Sequence, residues 1–253
     1  MIDLHSHVLP GLDDGARDVA EAVEIVRSME SDGVRVVAAT PHVRDDYPTT
    51  PEQMEASLEA LRAALDEAGV GVDVLPGGEI ALDRLAGLDP ESRARFGLGG
   101  NPRLLLIEFP YVGWPQELAL ACEWLRGEGV VPVIAHPERA LVVQQRPGDL
   151  DALVRAGAIV QLTAASVDGR LGRATASCAR RLLELELAHL VSSDAHAPGV
   201  RAAGLSAATQ AVGAGRLGDW LTHAVPAALL AGGELPPRPS GLGRRGIFSR
   251  RRR

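Results

Sequence analysis

Apolar residues in this sequence cluster into short runs that recur about every thirty residues, the length of one strand-and-helix unit. Seven runs predict buried strands, at residues 2–4, 34–40, 72–75, 104–109, 130–135, 158–163 and 190–193. Strands that alternate with helices are typical of a parallel sheet, and seven such units fit a closed or nearly closed barrel. The pattern therefore predicts a single α/β domain.

Amphipathic helices are predicted between the strands. Met54, Leu58 and Leu61 recur with helical spacing, and Gly33 and Gly69 follow two of these segments as C-terminal stops. The segment before the tail, residues 204–231, is also predicted to be helical.

The composition changes sharply near the C-terminus. We expect the folded domain to span residues 1–235, because residues 236–253 are rich in Pro, Gly, Ser and Arg and predict a disordered, solvated tail. All 26 basic residues of the chain are arginine, and seven of them lie in this tail. Residues 1–235 carry a formal charge of −14, which argues against nucleic acid as a partner.

Several classes of protein are excluded because the sequence lacks the residues or segments that they need. Without lysine there is no lysine nucleophile, Schiff base or carboxylated-lysine metal bridge. Cys122 and Cys178 have no C-x-x-C partner, so we interpret them as core residues rather than a disulfide or a thiolate zinc site. No signal-peptide pattern opens the sequence, and no apolar run approaches the roughly 18 residues that cross a bilayer. We expect a cytoplasmic protein.

Metal-binding residue types stand at the C-terminal ends of the predicted strands, which form the reactive face of such barrels. They are His5 and His7 after the first strand, His42 after the second, Glu79 after the third, Glu108 near the end of the fourth, His136 after the fifth, and Asp194 and His196 after the seventh. Asp13 and Asp14 lie in the first loop. One loop histidine alone indicates little, but recurrence at six strand ends predicts a metal site.

Imidazole and carboxylate ligands without thiolate suit Mn, Fe or Zn, and this set is too large for one ion. We therefore predict two or three divalent metal ions. Clustered ions generate hydroxide near neutral pH and hold both oxygens of an in-line displacement, which indicates phosphate ester hydrolysis.

Arg139 and Arg201 are placed to offer a phosphate their planar forks of donors. The alternatives are an ion pair for Arg139 and a solvated loop for Arg201.

A cysteine phosphatase is excluded by spacing. That mechanism needs an arginine six residues after the cysteine, and Glu128 and Glu184 occupy those positions.

The motifs DLHSHVLPGLDDGA, AATPH, PGGEI, LLLIEFP, VIAHPER and SSDAH occur in this order. Together they resemble the PHP (polymerase and histidinol phosphatase) family, and within it the manganese-dependent bacterial protein tyrosine phosphatases of capsule and exopolysaccharide operons. The resemblance covers almost all of residues 1–235. It implies a distorted (β/α)7 barrel of the PHP type that carries three metal ions, most simply Mn. It also implies hydrolysis of phosphotyrosine on the tyrosine-rich tail of a partner tyrosine kinase that controls polysaccharide synthesis.

The resemblance also implies roles for individual residues. His5, His7, Glu79 and Asp194 would form one metal site, Glu79 would bridge to a second with Glu108 and His136, and Asp14, His42 and His196 would hold a third. Asp14 would also serve in catalysis, and Arg139 and Arg201 match phosphate-contacting arginines. Two departures concern the rim that receives the substrate: Val43 replaces a second histidine, with an altered segment at residues 44–51, and Ala140 replaces an aromatic residue.

Alternatives to this function stay open. The same metals would serve a small-molecule phosphatase such as one acting on histidinol phosphate. A regulatory module could keep the metals without catalysis. The arginine tail either docks weakly on anionic lipid or on an acidic partner, or only solvates the chain. The oligomeric state is not predicted.

Overall fold

The computed structural model describes residues 1–197, 202–213 and 215–239. Within those residues the strands are β1 (Ile2–Ser6), β2 (Val36–Ala39), β3 (His42–Arg44), β4 (Tyr47–Pro48), β5 (Asp73–Leu75), β6 (Glu79–Ala81), β7 (Leu104–Glu108), β8 (Val131–Ile134), β9 (Ile159–Thr163) and β10 (Leu190–Ser192). The α-helices in the same ranges are α1 (Val19–Ser31), α2 (Pro51–Ala68), α3 (Leu82–Leu85), α4 (Pro90–Arg95), α5 (Glu117–Gly127), α6 (Leu141–Gln145), α7 (Asp151–Arg155), α8 (Ala164–Val167), α9 (Arg173–Glu184), α10 (Leu205–Ala211), α11 (Arg216–Asp219) and α12 (Val225–Leu230). Short 3₁₀ turns occupy Leu98–Gly100, Pro137–Arg139 and Pro147–Leu150, and Trp220–Ala224 forms a π-type turn.

The strands form two sheets that are parallel except where β4 pairs with β3. A small sheet has the order β1-β2-β5, and a curled sheet of seven strands has the order β10-β9-β8-β7-β6-β3-β4. The chain passes from the small sheet to the large one between β2 and β3, where Pro41 has no N–H to continue the ladder. The far edges also meet, because His7 N donates to Ala195 O at 2.8 Å and Asp194 N donates to His5 O at 2.9 Å.

The seven predicted strands are confirmed, since the runs coincide in order with β1, β2, β5, β7, β8, β9 and β10; β1 extends two residues beyond its predicted end, to Ser6. The described residues also form β3, β4 and β6, which were not predicted. These short strands read HVR, YP and EIA, and none of them contains a run of apolar residues that marks a buried strand. The structure is a single α/β domain, as expected, built around a half-barrel sheet.

Local sequence signals set the ends of the long helices. At the start of α2, Thr50 Oγ1 accepts from Gln53 N while the Gln53 side chain accepts from Thr50 N. The helix ends at Gly69, whose φ of 66° lies in the left-handed region. Gly33, with a φ of 91°, follows α1. Both predicted stops are confirmed.

The core is the layer between the sheets and the surrounding helices. Cys122 and Cys178 are buried in it and form no disulfide, as predicted. Within the described part of the chain, no helix combines the length and the hydropathy that a bilayer crossing requires.

Residues 236–239 lie against the domain. Trp220 Nε1 donates to Pro236 O at 3.0 Å, and Arg238 Nη1 donates to Ala188 O at 2.8 Å. The Arg238 guanidinium also lies 5.1 Å from the centre of the Trp220 ring. Pro236 and Arg238, at the start of the predicted tail, therefore have specific partners in the domain. The rest of the predicted tail lies outside the described residues.

Candidate metal centre

The predicted metal ligands gather at one rim of the curled sheet. Four groups have ligand atoms that all lie within 4.8 Å of one another: His7, Asp14, His42 and His196; His5, Glu79 and His136; His5, His7 and Asp194; and His42, Glu79 and Glu108. Together these groups contain all nine side chains that the sequence singled out as ligands. The fold thus assembles five imidazoles and four carboxylates in one place, and their binding of metal stays a prediction.

Glu79 stands at the centre of the cluster, and its side chain is fully buried. Its Oε1 lies 2.8 Å from His136 Nε2. Its Oε2 lies 2.9 Å from His42 Nδ1, 3.3 Å from His7 Nε2 and 3.4 Å from His5 Nε2. Among the described residues, neither Glu79 Oε2 nor His42 Nδ1 has a partner in hydrogen-bond geometry. Ligand atoms that crowd together without donating to one another fit a shared cation.

The first loop divides its two aspartates between different tasks. Asp13 Oδ2 accepts from His7 Nδ1 at 2.7 Å and from the backbone N–H of His42 at 2.9 Å, so Asp13 orients the imidazole of His7 and fixes the backbone of His42. The Asp14 carboxylate lies at the rim, 3.2 Å from His196 Nε2. Gly15 lets the loop close, because a Cβ there would stand 2.1 Å from His7 O. Asp13 is therefore a positioning residue, whereas Asp14, which the resemblance marks as a ligand, is a candidate ligand.

Two candidate ligands have strained backbones. His136 has a φ of 32° and Asp194 a φ of 52°, in the left-handed region that non-glycine residues rarely adopt. His136 opens the turn that carries Arg139, and Asp194 follows β10. Such strain costs about 1–3 kcal/mol per residue and concentrates at functional sites.

The cluster favours positive charge between its imidazoles and carboxylates. Burial alone raises the pKa of Glu79, but the imidazoles of His5 and His136 hold that pKa well below its usual range. Burial opposes charge on His7 too, yet Asp13 raises the pKa of His7 well above its usual value. Protons or divalent cations can supply this positive charge, and the four carboxylates favour cations.

Gln161 is a site residue that the sequence did not reveal. It lies in β9 and is fully buried. Its Oε1 accepts from His5 Nδ1 at 3.1 Å and from His136 N at 3.2 Å, while its Nε2 donates to Leu162 O at 2.8 Å. Gln161 therefore fixes the orientation of one candidate ligand and the backbone of another.

We expect Gln161→Leu to lower metal affinity about 10- to 100-fold, because the imidazole of His5 loses the partner that orients it. A competition titration against a fluorescent chelator measures this affinity. Gln53→Leu, at the start of α2, is the matched control and should bind metal as the wild type does. Metal affinities within threefold of each other for the two variants would show that Gln161 does not position the site.

One arginine of the predicted pair is at the site. Arg139 Nη1 donates to Asp194 Oδ2 at 2.6 Å, and the guanidinium lies 4.9 Å from the centre of the Tyr111 ring. Arg201 lies outside the described residues.

A cavity of about 330 Å³ opens onto the cluster. Its walls are formed by Asp14, His42, Arg44, Glu108, Tyr111, His136, Arg139, Leu171, Asp194 and His196. Of these, Arg44, Tyr111 and Leu171 were not predicted to take part.

Fold and site together define an α/β protein with a candidate multi-metal centre at the strand-end rim of a curled parallel sheet. The chain belongs to the family described as "Capsular polysaccharide synthesis, CpsB/CapC", whose sequence model matches residues 1–224. This membership confirms the resemblance drawn from the motifs.

Characterised relatives match most of the domain. The chain is 36% identical over 197 residues to the tyrosine-protein phosphatase YwqE of Bacillus subtilis, covering 78% of this chain and 77% of that protein. It is 28% identical over 204 residues to the tyrosine-protein phosphatase CpsB of Streptococcus pneumoniae, covering 78% and 83%. A crystal structure from a study of YwqE and CpsB, described as "unique metal-dependent tyrosine phosphatases", superposes with a TM-score of 0.82 at 32% identity. That match covers 95% of this chain and all of the other.

Proposed function

We propose that this protein is a metal-dependent phosphatase that hydrolyses phosphotyrosine on a protein. The observation that carries the proposal is the gathering of five imidazoles and four carboxylates into one cluster, of which three imidazoles and three carboxylates line a cavity together with Arg139. Family membership and the names of the relatives point to the same activity.

The chain's own groups divide the work of such a reaction. Arg139 offers a planar fork of N–H donors to the phosphate, and its contacts with Asp194 and Tyr111 hold that fork in place. Asp13 and Gln161 fix the orientation of the imidazoles. Divalent cations, when bound, supply Lewis acidity and lower the pKa of water at the cavity floor.

The nine gathered side chains would hold the cations, with Asp14 also serving in catalysis. We propose two or three ions, with Mn as the native metal and Fe or Zn as the alternatives, because the donor set mixes imidazole with carboxylate and contains no thiolate. Glu79 belongs to two of the four groups, which supports its role as a bridge. The division among ions implied by the resemblance placed His136 with Glu108, whereas their ligand atoms fall in different groups.

The wider features of the resemblance are proposals as well. We propose that the two sheets form one distorted (β/α)7 barrel, since Pro41 and the contacts between His7 and Ala195 connect them. We propose a cytoplasmic protein whose substrate is the phosphorylated tail of a tyrosine kinase in capsule or exopolysaccharide synthesis, supported by the family's description. Nucleic acid is not proposed as a partner, because residues 1–235 carry a formal charge of −14.

The test is hydrolysis by purified, Mn-reconstituted protein of a phosphotyrosine peptide, a phosphoserine peptide and histidinol phosphate. We expect turnover of the phosphotyrosine peptide, complete loss on exhaustive chelation, and recovery on adding Mn back. Thiol-blocking reagents should have no effect, because burial raises the pKa of Cys122 to about 11 and that of Cys178 to about 12.

The other outcomes decide against the proposal. Preferential turnover of histidinol phosphate would establish the small-molecule phosphatase. Binding of metal without turnover of any substrate would establish the regulatory module. Activity that survives chelation would contradict the metal-dependent reaction itself.

A further inference from the structure

Both tyrosines of this chain lie beside the candidate metal centre. Tyr111 has the guanidinium of Arg139 4.9 Å from its ring centre and meets the His136 ring edge-on at 5.8 Å. Tyr47 repeats the arrangement, with the guanidinium of Arg44 at 5.2 Å and the His42 ring stacked at 5.8 Å. Each tyrosine therefore contacts one arginine and one candidate ligand.

Arg44 faces the same cavity as Arg139 and also lines a neighbouring groove of about 320 Å³. It lies on the hairpin formed by β3 and β4, and its side chain is 31% exposed. A ligand in the cavity can thus reach Arg44 without any rearrangement of the core.

The contacts of Arg44 hold its guanidinium in place but do not engage all of its N–H donors. Nη2 donates to Asp46 Oδ2 at 3.0 Å, Nε lies 2.7 Å from Asp46 Oδ1, and Nη1 donates to Glu108 Oε2 at 3.4 Å. In hydrogen-bond geometry these contacts engage two of the five N–H donors of a guanidinium, because Nε lies close to Asp46 without that geometry among the described residues. A planar fork fixed by a ring and two carboxylates is preorganised to bind phosphate bidentately.

We propose that Arg44 is a second phosphate-contacting residue, and that Tyr47 holds it at the cavity as Tyr111 holds Arg139. The inference rests on the proposed function, because the phosphate belongs to the phosphotyrosine substrate. Arg44 and Arg139 then share the phosphate charge, and the ring of Tyr111, which lines both the cavity and the neighbouring groove, lies beside the aryl phosphate.

A structural role for Arg44 makes a different prediction. If Arg44 only held Glu108 in place, its loss would lower the metal content and leave the phosphate affinity of the metal-loaded protein unchanged. Phosphate affinity and metal content must therefore be measured on the same preparation.

The experiment is calorimetric titration of inorganic phosphate into the Mn-reconstituted protein, with Mn content measured by mass spectrometry. We expect Arg44→Ala to weaken phosphate binding about tenfold and Arg44→Lys about threefold, because an ammonium keeps the charge but not the fork. Mn content should match the wild type. The matched control is Arg84→Ala, since Arg84 pairs with the exposed Asp45 and does not line the cavity. It should bind phosphate as the wild type does.

The outcomes separate this inference from the proposed function. Phosphate affinity of Arg44→Ala within twofold of the wild type, or a loss of Mn that accounts for the weaker binding, would overturn the role of Arg44. A wild type that turns over no phosphotyrosine peptide would overturn the proposed function. In that case calorimetry would still decide whether Arg44 binds phosphate.

Discussion

Replacing Glu79 with Gln is expected to remove bound metal and phosphatase activity together, with kcat/KM lowered at least about a thousandfold, or roughly 4 kcal/mol of transition-state stabilisation. The expected effect is large because the two carboxylate oxygens of Glu79 lie within 3.4 Å of four imidazoles, those of His5, His7, His42 and His136. The amide keeps the size of the side chain and loses the charge that attracts the cations.

Glu138→Gln is the matched control for this substitution. Glu138 is equally buried, but burial raises the pKa of its carboxyl, so a neutral side chain already suits the position. Its Oε1 accepts from Thr163 N at 2.9 Å, which an amide oxygen can also do. We expect Glu138→Gln to keep its metal and most of its activity. Metal content and activity of Glu79→Gln near those of this control would show that Glu79 is not the central ligand.

Arg139→Ala is expected to lower kcat/KM for a phosphotyrosine peptide about 100- to 1000-fold while the metal content stays at the wild-type level. Arg139 is not a predicted metal ligand, so its removal leaves the ligand set complete. The phosphate, however, loses the planar fork of N–H donors. Arg139→Lys should recover part of the loss, because the ammonium supplies charge without the planar fork.

The chain offers a close control for Arg139 in Arg93. Arg93 also stacks on an aromatic ring, that of Trp124 at 4.5 Å, and also pairs with a carboxylate, that of Glu128, but it lies away from the cavity. Arg93→Ala should therefore affect stability and not kcat/KM. If Arg139→Ala instead lost metal in proportion to activity, the arginine would be a support for Asp194 rather than a contact for substrate.

Much of the fold was readable from the sequence because local patterns carry local structure. The apolar runs located seven of the strands in the described residues, and Gly69 ended α2 where its left-handed conformation allows it. β3 and β6 were missed because each has only one large apolar residue, Val43 or Ile80, and so forms no apolar run. The docking of Arg238 was missed for another reason, since its partner Ala188 is fifty residues away in the chain.

The residues of the candidate site were also predicted from the sequence only in part. The residue types and their positions at strand ends identified eight of the nine side chains in the candidate ligand groups, and the family resemblance added Asp14. Gln161 gave no signal, because one polar residue inside an apolar strand is compatible with many environments. The sequence marked residues 44–51 as an altered segment of the rim, but it gave no signal of the contact between Arg44 and Glu108, which joins residues 64 positions apart.

The sequence by itself determined the chemical inventory and its order: histidines and carboxylates at the ends of successive strands, arginine as the sole basic residue, and cysteines without the spacing of a nucleophile. The tertiary structure decided which atoms meet. It turned Asp13 toward His7 and Asp14 toward the rim, and it placed Tyr47 and Tyr111 beside separate arginines. The physical reason is that spacing along a chain fixes the direction of neighbouring side chains, whereas contacts between distant strands depend on sheet register and closure.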